Sequence, residues 1–415
     1  MNHSQFKLVA ICSLVAVLLV LSGCVEENGS LYDPNADPGP QPALTSIVST
    51  LLPDSALAEY DTLTITGTNF APTAQDNWVY FNEGVRSPYA ATQTELQVVA
   101  PRQIGSDIAI RVARRSSDLL SDPFTYKIGA AVEQFGGVVD TSAHAMATDA
   151  AGNLYVALSA LSATGSRGDA GIYVVSPDGA RWRYTPPTAG LVNWTGLRMG
   201  PGGFLYAARN QRAIYRISPG GGAAAAWMQI TSPAGVLLTE IEFDQSGNLW
   251  AGGNNPNIYC IRPDRTVRAN PFASTVRSLR VFNGSLYISA LIGGENKIWR
   301  APILGDSLGT AEVYYDFQAA YGSLGYIPYA ITFSSDGDMF IGTKSPEGIL
   351  VVRPGGSVIA PYSPYTELFS PTMKYLSWGP GKSLYGSSDL VVTPASEGLL
   401  LRVQTRQTGA PYYGQ

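Results

Sequence analysis

The stretch FDQSGNLWAGGNNPNIYCI, Phe243 to Ile261, decides how the rest of the chain is read. It alternates apolar and polar residues, turns at Ser246-Gly247-Asn248, alternates again, breaks at an asparagine-rich segment and resumes. Period-2 alternation bounded by turn residues predicts two short strands, with a tight turn before them and a polar loop between. The pattern recurs as MATDAAGNLYVA from Met146, LRMGPGGFLYAA from Leu197, IEFDQSGNLWAG from Ile241, LRVFNGSLYIS from Leu279, ITFSSDGDMFIG from Ile331 and LSWGPGKSLYGS from Leu376. Its anchoring aromatics are Tyr155, Tyr206, Trp250, Tyr287, Phe340 and Tyr385, at spacings of 51, 44, 37, 53 and 45 residues. After each comes a polar loop and a second apolar strand, such as GIYVVSPDG, AIYRISPGG or NIYCIRPD. Six multi-stranded copies with a period in the forties predict a radial array, a six-bladed β-propeller over residues 129–415. Ring closure calls for a strand from the other end of the unit. AAVEQFGG (Ala130 to Gly137) and the tail GAPYYG both compete for that slot.

The turn of the form D-x-x-G-N-hydrophobic-aromatic, followed by a loop and a strand such as NIYCI, resembles the NHL propeller family. Copies two, four and six lack the aspartate, so the repeat is NHL-like. Asp149, Asp244 and Asp336 sit in these turns, where the expected partners are nearby backbone amides.

Composition agrees with an all-β extracytoplasmic protein. Charged residues are 14% of the 415, against about 25% in ordinary domains, while Gly (44), Pro (28) and Tyr (23) are plentiful. A net charge of −5 gives no phosphate-tracking surface, so nucleic acid is not an expected partner.

The N-terminus reads as a leader, residues 1–23. Lys7 supplies a positive start and Leu8 to Ser22 an apolar run too short for a membrane span. LSGC, Leu21 to Cys24, resembles the bacterial lipobox, which implies cleavage before Cys24 and its acylation. Lipid chains would then anchor the protein without a transmembrane helix. Glu26 and Glu27 resemble the acidic tag of some lipoproteins at the outer face of the outer membrane. The polar, proline-rich segment through Gln41 reads as a tether, residues 24–41, whose 17 residues from Val25 span about 20–25 Å. Cys12 leaves with the leader and Cys24 is lipidated, so Cys260 stands alone as a small core hydrophobe.

Residues 42–128 hold short alternating strands: SIVST, DTLTITGTNF, NWVYFN, TELQVVAP, DIAIRVA and PFTYKI. That is the pattern of a small β-sandwich. LTITGTNF (Leu63 to Phe70), VYF at Val79, VVAP ending at Pro101 and FTY at Phe124 resemble the immunoglobulin-like TIG (IPT) domain. The resemblance implies a turn at Gly67 and Asn69, Phe70 in the core, and a spacer or minor binding role.

The missing chemistry narrows the function. The chain after the leader holds one histidine, His144, and no HExxH, Cys/His cluster, GxSxG elbow or calcium loop. GPGKS, Gly379 to Ser383, lacks the leading glycine of a phosphate loop and reads as a turn. No metal or cofactor is expected.

Aligning the repeats on their first strands places His144, Thr195, Thr239, Arg277, Tyr329 and Lys374 where each inner strand begins, around the mouth of a central channel. The loops between second and third strands share that face. They carry Arg167 and Asp169; Arg209, Asn210 and Arg212; Asn254, Asn255 and Asn257; Glu295 and Asn296; Lys344 and Glu347; and Asp389. Asparagine offers a donor and an acceptor in fixed geometry, which suits sugar hydroxyls. Trp194, Tyr326, Tyr329 and Tyr375 lie close enough to stack on sugar rings.

The expected function is therefore a non-enzymatic surface lipoprotein binding a glycan through the loop face. It is similar to lipoproteins that accompany outer-membrane nutrient-uptake systems, with a transporter or surface protein as the implied partner. A protein-interaction or adhesion module is the first alternative. A propeller enzyme is the second, since the architecture also hosts metal-dependent lactonases, peptidylglycine-processing lyases and sialidases. Against a lactonase stands the mouth ring, which carries His, Arg and Lys and no carboxylate, Glu240 and Glu242 being the nearest acids of their blade. Arg277 and Tyr329 are the sialidase-like pair, but the repeats lack that family's Asp-box turn.

Overall fold

The computed structural model describes residues 39–50, 54–137, 141–161, 167–188, 194–369, 372–389 and 398–413. The segments expected to form a leader and most of a tether, with Cys24, lie outside these. The chain divides into two units, one running to Ala56 and from Asp61 to Ile128, the other made of Leu57–Tyr60 and Gly129–Gln415.

The first unit is an immunoglobulin-like sandwich. Ala43–Ser49, Thr62–Thr68, Glu95–Val99 and Ala90–Ala91 form one sheet. The other is built on Phe124–Gly129, Gly105–Arg114, Asn77–Phe81 and Gly84–Arg86, with Ser55–Leu57 at its edge. Strand alternation points Ile47, Leu63, Ile65, Val79, Phe81, Leu96, Val98, Ile110 and Val112 inward, and all are buried. Phe70 joins them. Asn69 makes the turn, with φ of +62° and its Nδ2 donating to the Gln41 carbonyl at 2.9 Å. Gly67, expected in that turn, instead lies within the strand Thr62–Thr68. A Cβ there would sit 2.0 Å from the Ala43 carbonyl oxygen, so glycine is required by close approach of the neighbouring strand.

The second unit is a six-bladed propeller of four-stranded antiparallel sheets. Its inner strands are Thr141–Thr148, Gly196–Met199, Glu240–Phe243, the latter half of Val267–Phe282, Ile327–Phe333 and Thr372–Trp378. Each inner strand packs beside the next, and the sixth returns to the first. Thr148 Oγ1 donates to the Trp378 carbonyl across that junction at 2.5 Å. Blades three and four share Val267–Phe282, 16 residues that leave one sheet as its outer strand and enter the next as its inner strand.

Closure of the last blade falls to the earlier of the two competing segments. Val132–Gln134 pairs with Gly398–Gln404, and Glu133 meets Arg402 at 2.7 Å. The tail takes another place. Ala410 N donates to the Phe333 carbonyl, and the Tyr412 ring inserts between blades, its hydroxyl meeting Thr332 Oγ1 at 3.0 Å.

The repeated turn has a physical cause. Asp244 accepts from the amides of Ser246 and Asn248, from Asn248 Nδ2 and from the indole Nε1 of Trp250, all at 2.9–3.0 Å. Asp149 accepts likewise from Asn153 and from the Tyr155 hydroxyl. The aspartate thus fixes both the turn and the aromatic six residues on. In blade five that position is Ser334, which accepts from Asp338 N at 3.0 Å, and Asp336 is displaced two residues from the role expected of it. The six anchoring aromatics are all buried. Gly379–Ser383 is a turn closed by Gly379 N to the Ser383 carbonyl. Cys260 is buried in the third blade, and burial pushes its thiol up to about 12.

Candidate functional site

Four inner strands carry a β-bulge at the same level, between Ala143 and Met146, Val276 and Ser278, Pro328 and Ala330, and Met373 and Tyr375. The residues released by these bulges include His144, Arg277, Tyr329 and Lys374. A bulge adds an unpaired residue and re-aims its side chain, which is how a strand committed to sheet pairing turns a polar group toward the axis. Thr195 and Thr239 stand just before the two unbulged inner strands, their amides donating to Ala208 and Gly252 carbonyls. All six are half-buried within otherwise buried segments, as a channel mouth requires.

Below the mouth lies a cavity of about 20 Å³, lined from all six inner strands, among them by Met146, Thr195, Glu240, Arg277, Ala330 and Lys374. That volume holds about one water-sized group. Its floor is ionic and aromatic. Arg198 Nε meets Glu242 Oε2 at 2.9 Å, and Arg280 reaches the same carboxylate at 3.8 Å. Arg280 also donates to the Ala410 and Pro411 carbonyls and stacks 3.7 Å over the Tyr412 ring. Arg198 donates further to the Leu197 carbonyl at 2.7 Å. Burial alone would lower the Arg198 pKa, but the charge of Glu242 leads the interactions that raise it. These contacts tie three blades and the tail together beneath the cavity.

Glu240, one of the nearest acids of its blade, is the carboxylate that reaches this space. It lines the cavity at 8% exposure. Burial raises its pKa from 4.5 to about 8, with Arg198 opposing and Glu242 reinforcing the shift. The folded chain therefore keeps a proton that the unfolded chain releases between pH 4.5 and about 8. The contribution of Glu240 to stability is greatest below pH 4.5, declines through that window and is level above it. Glu240→Gln is expected to flatten this part of the stability–pH profile, measured as melting temperature at pH 5 and pH 8. A variant with the parent's slope would contradict it.

The other expected site residues separate into several groups. Tyr375 lines the same cavity, its ring edge-on to His144 at 6.3 Å. Tyr329 lies under the Arg277 guanidinium at 5.2 Å, and Asn296 accepts from Arg277 at 3.3 Å. Thr239 is held by the Gly252 and Val276 carbonyls. Asn254 is exposed beside a shallow depression of about 380 Å³ with Ser274, Thr275 and Leu291. Arg212 is exposed, and Asn210 turns the chain with φ of +56°.

Three expected ligand residues are structural. Trp194 is 1% exposed, with Arg209 stacked 3.9 Å over its ring. Arg209 is equally buried and ion-paired with Asp169 at 3.4 Å. Asn255 is buried, its Oδ1 accepting from Leu237 N and its Nδ2 donating to the Leu237 carbonyl. The asparagine-rich segment is also not a loop. Asn254–Ile261 is one strand, with a bulge between Asn255 and Asn257. Glu295 and Asn296 likewise begin the strand Glu295–Leu304. The side chains of Arg167 and Asp389 lie outside the described residues.

Tyr326 opens a second feature at the mouth end of blade five. An apolar cleft of about 710 Å³ lies between Leu324–Tyr326, Lys344–Pro346 and Thr366–Glu367. Tyr321 stacks on Tyr326 at 5.9 Å, and Asp316 caps the short helix Phe317–Tyr321 that presents it.

Catalytic groupings are sparse. His144 Nε2 and Ser159 Oγ are hydrogen-bonded at 2.7 Å, but Ser159 has no exposed surface from which to reach a substrate. Among the described residues no group of three His, Cys, Asp or Glu is placed to hold a metal ion.

Residues 46–128 match the IPT/TIG domain family. No curated protein sequence matches the chain. Among solved structures, a luciferin-regenerating enzyme is similar over 68% of this chain and 97% of its own, at 14% identity and a TM-score of 0.52. Regucalcin, a calcium-binding protein from Agrobacterium tumefaciens, is similar over 66% and 92%, at 13% identity and a TM-score of 0.51. An auxiliary nutrient binding protein from Bacteroides thetaiotaomicron aligns over 90% and 99%, at 10% identity and a TM-score of 0.47. The first two likenesses show the propeller fold and carry no activity to this chain.

Proposed function

We propose that the chain is a non-enzymatic lipoprotein of the cell surface, anchored through Cys24, whose propeller binds a glycan at the mouth face and serves outer-membrane nutrient uptake. The observation that carries this is the apolar cleft at blade five, with Tyr326 in its lining. Its 710 Å³ lies within the range of ligand sites. Half-buried Tyr326 lines the cleft together with Lys344 and Glu367. Sugar rings present apolar faces to such aromatics and hydroxyls to such polar groups. Affinity for a single chain is expected on the order of 10⁻⁵ M, about −7 kcal/mol.

The test is a glycan array on the full-length protein in detergent, followed by titration of the best ligand. Tyr326→Ala is expected to weaken binding about fivefold or more, roughly 1 kcal/mol. Asn255→Ala, which removes two structural hydrogen bonds, is expected to lower stability by about 1–3 kcal/mol and leave affinity unchanged in the folded protein. Equal affinity in Tyr326→Ala and parent would remove the cleft from the reading.

A further inference from the structure

The axial cavity has more donors than its walls use. Arg277 Nε is buried with no acceptor, and Thr195 Oγ1 is buried with no partner. Both residues line the cavity, and they reach it from different blades. Buried polar groups are almost always satisfied, so two orphans on one small space call for an acceptor that the protein does not supply. Water could meet one of them. Charge argues for more than water. Among the described residues no carboxylate stands within ion-pair distance of Arg277, whose guanidinium meets only Asn296 and the face of Tyr329. Lys374 lines the same cavity, with an interaction of its own. Of the two acids nearby, Glu242 is engaged by Arg198 and Arg280 in the floor. Glu240 is kept largely protonated at neutral pH by its burial, and as an acid it can donate. The cavity is therefore cationic and donor-rich, too small for a sugar ring and large enough for the oxygen of one projecting group.

We propose that this cavity receives a carboxylate oxygen of an acidic saccharide, with Arg277 as its counter-charge and Thr195 and Glu240 as hydrogen-bond donors, while the sugar ring stays at the mouth. A guanidinium presents paired donors that match a planar carboxylate, which favours a uronic acid over a neutral sugar. This rests on the glycan-binding reading of the same face and specifies the ligand's chemistry.

Calorimetric titration of the full-length protein in detergent tests it. The probes are an oligogalacturonate, the same oligomer as its methyl ester, a neutral oligosaccharide of equal length, and acetate. The acid is expected to bind at least about 10-fold more tightly than its ester, equivalent to about 1.4 kcal/mol, with affinity falling as salt rises. Arg277→Gln is expected to erase that preference and Arg277→Lys to restore part of it, both at the parent's melting temperature. Arg353→Gln, an exposed cation in the fifth blade, serves as the control and should leave the preference intact. Equal binding of acid and ester, or acetate binding as tightly as the oligomer, would overturn the proposal. A neutral ligand that binds regardless of Arg277 would overturn it while leaving glycan binding in place. Failure of every saccharide to bind would remove both.

Discussion

Glu242→Ala is expected to destabilise the propeller by about 3–5 kcal/mol, a fall in melting temperature on the order of 10 °C. Glu242 is 1% exposed and is the carboxylate shared by Arg198 and Arg280. Removing it leaves two buried guanidinium groups with backbone carbonyls, the Tyr412 ring and, for Arg198, the largely protonated Glu240 for compensation. Breaking a buried pair from one side costs far more than the pair itself contributes, because the surviving charge stays desolvated. Glu242→Gln retains an acceptor for Arg198 Nε and should fall between parent and alanine. Chemical denaturation followed by tryptophan fluorescence measures the series. A loss below about 1 kcal/mol for the alanine variant would mean that water reaches the two guanidinium groups and screens them.

Asp244→Ala is expected to cost about 3 kcal/mol, because one carboxylate serves four donors in and beside a buried turn. The Trp250 indole would lose its acceptor while remaining fully buried. Ser334→Ala at the equivalent place in blade five removes a single hydrogen bond and should cost about 1 kcal/mol. The contrast checks the cause, since both variants delete the same turn position. Equal losses would show that turn geometry, rather than the hydrogen bonds to the aspartate, sets the stability of the repeat.

These two positions also mark what could be read from the sequence. The Asp244 turn is local: the aspartate, the asparagine four residues on and the aromatic six residues on all lie within one repeat, so their chemistry recurs in the letters. The blade count and inner strands follow from it. The floor is not local. Arg198, Glu242, Arg280 and Tyr412 come from three blades and the tail, and each looks like an ordinary strand or tail residue until the ring brings them to one axis. The mouth ring could be placed because strand starts were aligned, yet the bulges that aim His144, Arg277, Tyr329 and Lys374 leave no distinct mark in the sequence. Trp194, Arg209 and Asn255 were misread for a related reason. Position at a strand end says which face a residue is near, not whether its side chain points to solvent or folds back. Asn255 turned back onto Leu237, and Trp194 and Arg209 covered one another. The donor and acceptor pair that suits a sugar hydroxyl serves a backbone amide and carbonyl equally well.

The seam between Val132–Gln134 and Gly398–Gln404 has a consequence for how the molecule comes into being. Arg402 and Glu133 stand 269 residues apart in sequence, and joining ends at that separation costs about 5 kcal/mol of chain entropy. A nascent chain can stack five blades as it emerges, but the sixth must wait until Gly398–Gln404 has been made. Until then the hydrophobic flank of the first blade has no neighbour, and the unfinished ring is the species that proteases and chaperones meet.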